Sequence, residues 1–364
     1  MIRSSWLAIA LFPACAAAQS STAAPPADVA GGWPRTGAVA FPDHPGEVRL
    51  ANVRKLTHGG QNAEAYFSAD GRRLVFQSTP AGGGCDQIFA MDVDGSNLSR
   101  VSTGQGRTTC GYFFPGGNRV LFSSMHHVSP VCPAAPDRSR GYVWPLHPYD
   151  VFAANPDGSG LVQLTRSPGY DAEATFSPDG SRIVFTSTRD GDVELYTMDA
   201  DGGNVRRLTF EEGYDGGAFF SPDGKRIVYR AHHPTDPAEL ADYRALRGDN
   251  LVRPGHMELW VMDADGGNKR QITSNGAANF APFFHPDGRR IVFGSNLHDP
   301  RGRDFDLYLI GIDGSGLERI TRHGDFDSFP MFSPDGRQLV WASNRGGSAP
   351  GETNVFIADW VEAP

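Results

Sequence analysis

The chain has 364 residues and a formal net charge of −9, from 33 Lys and Arg against 42 Asp and Glu. Hydrophobic residues make up 39% and charged residues 21%, which is typical of a globular protein and excludes a disordered or membrane-embedded chain. The acidic balance argues against a nucleic-acid partner, because phosphate binding needs clustered Lys and Arg. The 44 Gly and 27 Pro supply many chain reversals and therefore predict many short strands.

The start of the chain has the pattern of a secretory signal peptide. Arg3 precedes an apolar stretch, and three alanines ending at Ala18 form a cleavage pattern. Cleavage after Ala18 is favoured over lipidation of Cys15, because the leucine that a lipobox prefers is missing before that cysteine. No other apolar run is long enough to cross a membrane. We therefore expect a periplasmic or secreted protein, with a signal peptide at 1–18 and a flexible leader at 19–46.

Internal repetition is the main feature of the remaining sequence. A phenylalanine followed by a Gly-containing turn and a β-branched run recurs six times, as in Phe176-Ser177-Pro178-Asp179-Gly180. Successive copies are 47, 62, 44, 64 and 48 residues apart, so one unit repeats with two insertions. The repeated phenylalanines are Phe67, Phe114, Phe176, Phe220, Phe284 and Phe332.

Each repeat predicts four antiparallel strands. The first turn is Asp-Gly in five of the copies, the third strand ends in a second tight turn, and the fourth ends in Leu-Thr or Ile-Thr, as at Leu208-Thr209. Six such units predict an all-β fold, a six-bladed β-propeller over residues 47–364. The last copy lacks its fourth strand, and the segment 53–57 carries the same Leu-Thr ending. We predict that this N-terminal strand completes the last blade and closes the ring.

These repeats resemble the TolB-like propellers, the PD40 (WD40-like) repeat family. The resemblance rests on Phe176-Ser177-Pro178-Asp179-Gly180, on Met198-Asp199-Ala200-Asp201-Gly202-Gly203-Asn204 and on the Leu-Thr endings. It implies the six-bladed fold, and it leaves function open because the family uses this propeller for protein docking and in enzyme accessory domains. TolB carries an α/β domain ahead of its propeller, for which residues 19–46 are too few. A role in the Tol-Pal system therefore stays open.

One rim of the predicted propeller collects the groups that could form a site. Insertions at about 124–149 and 231–257 fall there, with nine of the 11 histidines, all except His44 and His285. Carboxylates stand where the innermost strands begin, and innermost strands line the channel, so these groups are expected to converge at its mouth. His and carboxylate together bind divalent metals or perform acid–base chemistry, whereas a polar rim without a site is the alternative. The candidate residues are Glu64, His126, His127, Asp171, Glu173, Asp215, His232, His233, His298, Asp325 and Asp327.

Three cysteines follow the predicted signal peptide, and all lie on this rim. They are Cys85, Cys110 and Cys132. In an oxidising compartment we expect one disulfide and one free thiol, and the sequence leaves the three pairings open.

Three functions are compatible with this sequence, which contains no Gly-x-Ser-x-Gly or other enzyme motif. The favoured hypothesis is an exported monomeric binding or scaffold protein that docks a protein, peptide or envelope component on its rim loops. The alternatives are a metal-dependent lyase or hydrolase, acting on polysaccharide or peptide at the channel mouth, and a small-ligand sensor. No cofactor is certain, and a divalent metal at the mouth is the one candidate.

Overall fold

The structure is a computed structural model that describes residues 32–134, 137–299, 302–324 and 326–362. The predicted signal peptide and the candidate Asp325 lie outside these residues. None of the helices in the described part of the chain is long and apolar enough to cross a membrane.

The strands and the single α-helix of the described ranges follow in chain order. The first two strands and blade one are β1 (Arg35–Ala40), β2 (Leu50–His58), β3 (Gln61–Phe67), β4 (Arg73–Thr79), β5 (Gln87–Asp92) and β6 (Ser99–Arg100). Blade two and its insertion contain β7 (Thr108–Phe113), β8 (Val120–Ser124), a 3-10 turn (Arg138–Arg140), β9 (Trp144–Pro145), β10 (Asp150–Ala154) and β11 (Val162–Gln163). Blades three and four contain β12 (Asp171–Phe176), β13 (Arg182–Ser187), β14 (Glu194–Asp199), β15 (Arg206–Arg207), β16 (Tyr214–Phe220), β17 (Arg226–His232), α1 (Pro237–Gly248), β18 (Leu251–Val252), β19 (Glu258–Asp263) and β20 (Arg270–Gln271). Blades five and six contain β21 (Asn279–Phe284), β22 (Arg290–Ser295), β23 (Asp306–Gly311), β24 (Glu318–Arg319), β25 (Asp327–Phe332), β26 (Gln338–Ser343) and β27 (Asn354–Trp360).

These strands form the predicted six-bladed propeller. The innermost strands β3, β7, β12, β16, β21 and β25 each contact the next, and β25 contacts β3, so the ring is closed. Blade six is completed by β2, which pairs with β27 so that Arg54 lies opposite Ile357 and Lys55 opposite Phe356. The predicted closure by an N-terminal strand is therefore confirmed.

The segment ahead of β2 differs from the flexible leader predicted for residues 19–46. Strand β1 pairs with β2 as a fifth strand of blade six. Trp33 packs on Phe89 of blade one, with 5.0 Å between ring centroids. The ordered sheet therefore begins before residue 47, because the composition that suggested a leader does not prevent a short edge strand from pairing with β2.

The repeated turn forms as its residues predict. Gly180 has φ +72°, and its N–H donates to the Ser177 carbonyl at 2.8 Å, which closes the turn between β12 and β13. In blade two the predicted position of the repeated phenylalanine, Phe114, is wrong by one residue. The strand ends at Phe113, and Phe114 takes the position of Ser177, since its carbonyl accepts the corresponding bond from Gly117.

The Leu-Thr endings hold each fourth strand to the third. In all six blades a hydroxyl on the fourth strand accepts the N–H of a third-strand residue at 2.8 to 2.9 Å. The hydroxyls belong to Thr57, Ser102, Thr165, Thr209, Thr273 and Thr321. In blade six, Thr57 of β2 makes this bond to Val355 of β27, so the repeat motif also operates across the closure.

Candidate functional site

Each innermost strand carries a β-bulge at the same height in the ring. Two residues there oppose one residue of the second strand, and the first of the two has a left-handed φ between +48° and +62°. The first bulge residues are Glu64, Cys110, Glu173, Gly217, Ala281 and Phe329. The residues opposite them are the fully buried aromatic side chains Phe76, Phe122, Phe185, Tyr229, Phe293 and Trp341. The bulge turns its first residue toward the channel, and all six line one central cavity.

This central cavity has a volume of about 720 Å³ and largely aromatic walls. Its floor is formed where Tyr66, Tyr112 and Phe219 pack together across the channel, with ring centroids 5.5 to 5.9 Å apart. Tyr149, Tyr170, Tyr214, Phe280, Phe305 and Phe326 contribute further lining. The volume lies within the range of ligand-binding cavities in proteins.

The two predicted insertions cover the cavity together. Strand β9 of the first pairs with β18 of the second, with Trp144 opposite Val252. Trp144 also packs on Phe280 of blade five, at 5.3 Å between centroids, and lines the cavity with Tyr142. We call this covering structure, residues 142–147 with 250–252, the roof.

Two further features hold the insertions in place. Cys85 of blade one and Cys132 of the first insertion form a disulfide, which selects one of the three pairings that the sequence left open. In the second insertion, Asp236 caps α1 by accepting the N–H of Ala238 and Glu239. Tyr243 of that helix donates to Asp192.

The cavity wall holds a buried ion pair between blades three and four. Arg230 donates to Glu173, and Glu173 also accepts the Gly217 N–H at 2.8 Å and the Thr186 hydroxyl at 2.8 Å. Burial opposes the charge of Arg230, but Glu173 and Tyr214 outweigh it and raise the pKa of the guanidinium. Gly217 has no Cβ to obstruct the pair, since a Cβ there would lie 2.4 Å from Nη1 of Arg230.

Glu64 of blade one and Cys110 of blade two are neighbours on the cavity wall. Burial raises the pKa of Glu64 to about 7, and the negative charge of Glu173 adds to the shift, whereas the hydrogen bond from Cys110 lowers the pKa. The free thiol of Cys110 also has a raised pKa, because it is buried beside Glu64 and Glu173. A thiol with a raised pKa stays protonated and is a poor nucleophile.

The predicted aspartates do not line this cavity. Asp171, Asp215 and Asp327 each lie two residues before the bulge and are buried between strands. Each pairs with a basic side chain 18 residues further along the chain, at 2.5 to 3.1 Å: Asp171 with Arg189, Asp215 with His233 and Asp327 with Arg345. Each of these pairs lies within one blade, at the innermost strand. Of the predicted carboxylates in the described ranges only Glu64 and Glu173 reach the cavity.

The predicted histidines pair locally around the rim. His127 contacts Asp150 at 2.8 Å, His232 contacts Glu239 at 3.0 Å, and His126 bonds to Ser124 at 2.7 Å. His298 lies 3.2 Å from both Asp304 and Asp306. None of these histidines, nor His233, lines the cavity. Across the described ranges, no three His, Cys, Asp or Glu side chains come together to hold a metal ion.

Sequence reasoning missed Cys110, Arg230 and the aromatic lining as parts of one site. A positional signal exists, since each first bulge residue lies three positions before the phenylalanine that ends the innermost strand. With Phe114 in place of Phe113, that rule would have selected Gly111 in blade two.

A closed ring of six blades around a roofed aromatic cavity defines the chain as a six-bladed β-propeller with a central cavity. The PD40 family profile, described as the TolB beta propeller domain, matches residues 148–244. A protein TolB homolog from Chlorobium luteolum is 25% identical over 155 residues, which cover 36% of this chain and 35% of that protein. The Tol-Pal system protein TolB of Bordetella pertussis is 51% identical over 39 residues, 11% of this chain and 9% of that protein. The resemblance to TolB-like propellers is confirmed, although the matched parts span about a third or less of these relatives.

Solved structures share the fold across nearly the whole chain. A structure assigned as TolB from Agrobacterium tumefaciens has a TM-score of 0.56 and 20% identity, covering 85% of this chain and 94% of that one. An oligogalacturonate lyase in complex with manganese has a TM-score of 0.54 and 16% identity, covering 90% of this chain and 97% of that one. At these identities the likeness establishes the fold and does not indicate an activity for this chain.

Proposed function

We propose that this chain is an exported binding protein whose roofed cavity receives an extended segment of an envelope protein or peptide. The observation that carries the proposal is the cavity of about 720 Å³ at the channel mouth, lined by aromatic side chains and partly covered by the roof. Aromatic residues supply much of the energy at binding surfaces, since they bury large areas at a low cost in side-chain entropy.

The roof limits what can enter this cavity. A folded partner lying flat across the channel mouth would collide with the paired strands β9 and β18. A chain terminus or a loop is narrow enough to pass beside them and to contact the wall. The partner is therefore proposed to contribute a slender segment rather than a broad face.

Export is supported by two independent features. The first eighteen residues have the composition of a signal peptide. The Cys85–Cys132 bridge also suits an oxidising compartment such as a periplasm, because cytosolic thiols are kept reduced.

The other two hypotheses have less support from the geometry. A metal-dependent lyase or hydrolase needs a ligand set, and the described residues offer no group of three metal-ligating side chains. A small-ligand sensor would use the same cavity, so it is treated as an outcome of the experiment below.

Site-specific photo-cross-linking in living cells tests the proposal. A benzophenone amino acid replaces Phe329 inside the cavity or Tyr142 at the roof, and Val205, exposed at a hairpin on the opposite rim, is the control position. We expect the first two positions to cross-link the same envelope protein or peptide, through one short segment identified by mass spectrometry. Cross-links from Tyr142 without any from Phe329 would place the partner outside the cavity and contradict the proposal. Recovery of only a small metabolite would favour the sensor.

A further inference from the structure

One carboxylate on the cavity wall lacks a cationic partner. Of the described residues lining the cavity, Asp86 faces Arg107 at 3.8 Å and Glu173 pairs with Arg230. Glu64, the third carboxylate there, is half-buried and has no cation within ion-pair distance in the described ranges. Its hydrogen-bond partner is the thiol of Cys110, a weak donor.

The surroundings of Glu64 favour a positive charge. Tyr66, two residues further along β3, forms part of the aromatic floor, and burial followed by the nearby charge of Glu64 raises its pKa well above the usual value. Aromatic faces attract cations, and the attraction increases where water is excluded. The cations that already line the cavity do not compete for this position: Arg230 and Arg107 are paired, and Arg303 is exposed on the side of blade five.

We infer that the segment received by the cavity carries a primary ammonium group, from a lysine side chain or a free amino terminus, that pairs with Glu64. This inference rests on the proposed function, because the ammonium is assigned to the segment that the cavity receives. An ionised carboxylate on a desolvated wall is costly without a partner, and an ammonium ion compensates that cost while its aliphatic stem contacts the aromatic walls.

The pairing is linked to protons. The ammonium pairs with ionised Glu64, and this carboxyl has a pKa of about 7, so protonation competes with binding below neutral pH. Affinity for an alkylammonium, which stays protonated over this range, is therefore expected to increase as the pH rises from 6 to 8, by roughly tenfold for a single carboxyl titrating near 7. The groups that act on Glu64 are the Cys110 thiol, the Glu173–Arg230 pair and the carboxylate of Asp86; the thiol has a raised pKa and the guanidinium stays charged.

Matched probes that differ in one charge test the inference. Dissociation constants of the full-length protein are measured by NMR titration for n-butylammonium and 1-butanol. A second pair is trialanine amide with a free amino terminus and its N-acetylated form. We expect the charged member of each pair to bind at least about tenfold more tightly at pH 7.5, where the α-amino group of the tripeptide is still mostly protonated, and Glu64→Gln to abolish that preference. Glu194→Gln is the matched control, because burial also raises the pKa of Glu194 to about 7 but its carboxylate pairs with Arg207 outside the cavity.

The outcomes separate this inference from the proposed function. Equal affinity for charged and neutral probes, or a preference that persists in Glu64→Gln, would overturn the ammonium assignment and leave the cavity as a binding site. A preference confined to n-butylammonium would retain the Glu64 site but exclude a peptide amino terminus as its source. If Glu64→Gln fails to fold, the affinity of the wild-type protein for n-butylammonium is measured between pH 6 and 8 instead. An affinity that does not change with pH overturns the inference. Photo-cross-linking tests the proposed function whichever result is obtained.

Discussion

Replacing Arg345 with Met tests how the front of the chain is held in the ring. Arg345 is fully buried and donates to both carboxylate oxygens of Glu47, at 3.0 and 3.2 Å, and to Asp327 at 2.5 Å. Its guanidinium also lies over Trp341, 5.4 Å from the ring centroid. Methionine keeps most of the volume but leaves two buried carboxylates without their cation. Breaking a buried charge pair in this way typically lowers the free energy of unfolding by about 3 to 5 kcal/mol.

Arg189→Met is the matched control, because Arg189 occupies the same position in blade three. It bonds to Asp171 at 3.0 Å and to Ser187 at 2.9 Å, and it lies over Phe185 at 5.0 Å. It serves only one carboxylate and its side chain is 18% exposed, so we expect a loss of about 2 kcal/mol. The excess loss in Arg345→Met measures the contribution of Glu47, the residue that leads into β2.

The loss caused by Arg345→Met should depend on pH with a definite sign. Burial already raises the pKa of Asp327 in the presence of Arg345, and removal of the guanidinium raises it further. The folded variant then binds more protons than its unfolded state, so its stability increases as the pH falls. The difference from the wild type should therefore be smaller at pH 5 than at pH 8.

Urea unfolding followed by tryptophan fluorescence at both pH values measures these quantities. Equal losses in Arg345→Met and Arg189→Met, or a loss in Arg345→Met that is the same at pH 5 and pH 8, would refute the conclusion that the Glu47–Arg345–Asp327 cluster holds the segment ahead of β2 in the ring.

Three further substitutions test the closure, the bridge and the bulge ring. Thr57→Val removes the hydroxyl that accepts the N–H of Val355 and should lower the free energy of unfolding in urea by about 1 kcal/mol. An unchanged unfolding midpoint would contradict a stabilising role of this hydrogen bond in the closure. Replacing Cys85 and Cys132 with Ser removes a disulfide between residues 47 apart in the chain. The loop entropy released in the unfolded chain should lower the free energy of unfolding by about 4 kcal/mol. A loss below about 1 kcal/mol would show that other contacts restrain the loop. Gly217→Ala adds a methyl to a residue with φ +62° and should cost more than about 1 kcal/mol; a variant as stable as the wild type would contradict the close approach of Arg230.

The blade architecture could be predicted because its causes are local. An Asp-Gly turn such as Asp179-Gly180 and a Leu-Thr or Ile-Thr ending each recur in five of the six copies, and every copy repeats the same hydrogen bonds. The misalignment at Phe114 arose because blade two has two adjacent phenylalanines and a Gly116-Gly117 turn, so residue type alone did not identify which one ends the strand.

The site was less predictable because backbone geometry decides which side chains face the channel. Glu173 and Asp171 are both acidic and two residues apart, yet the left-handed bulge residue lines the cavity while the earlier residue is buried against Arg189. The six bulge positions hold Glu, Cys, Gly, Ala and Phe, so they share a conformation rather than a chemistry. Most of the predicted histidines are engaged by nearby carboxylates rather than facing the cavity.

The roof shows how two insertions form one structural element. Their paired strands, β9 and β18, are about a hundred residues apart in the chain, and each has only two residues. Such a short ribbon is not stable alone, so its position depends on contacts at both ends. Arg253 donates to the Arg140 carbonyl at 3.0 Å to link the insertions, and Trp144 packs against blade five. A roof held in place in this way would lose little conformational entropy if the proposed segment binds, which favours binding in a cavity of modest size.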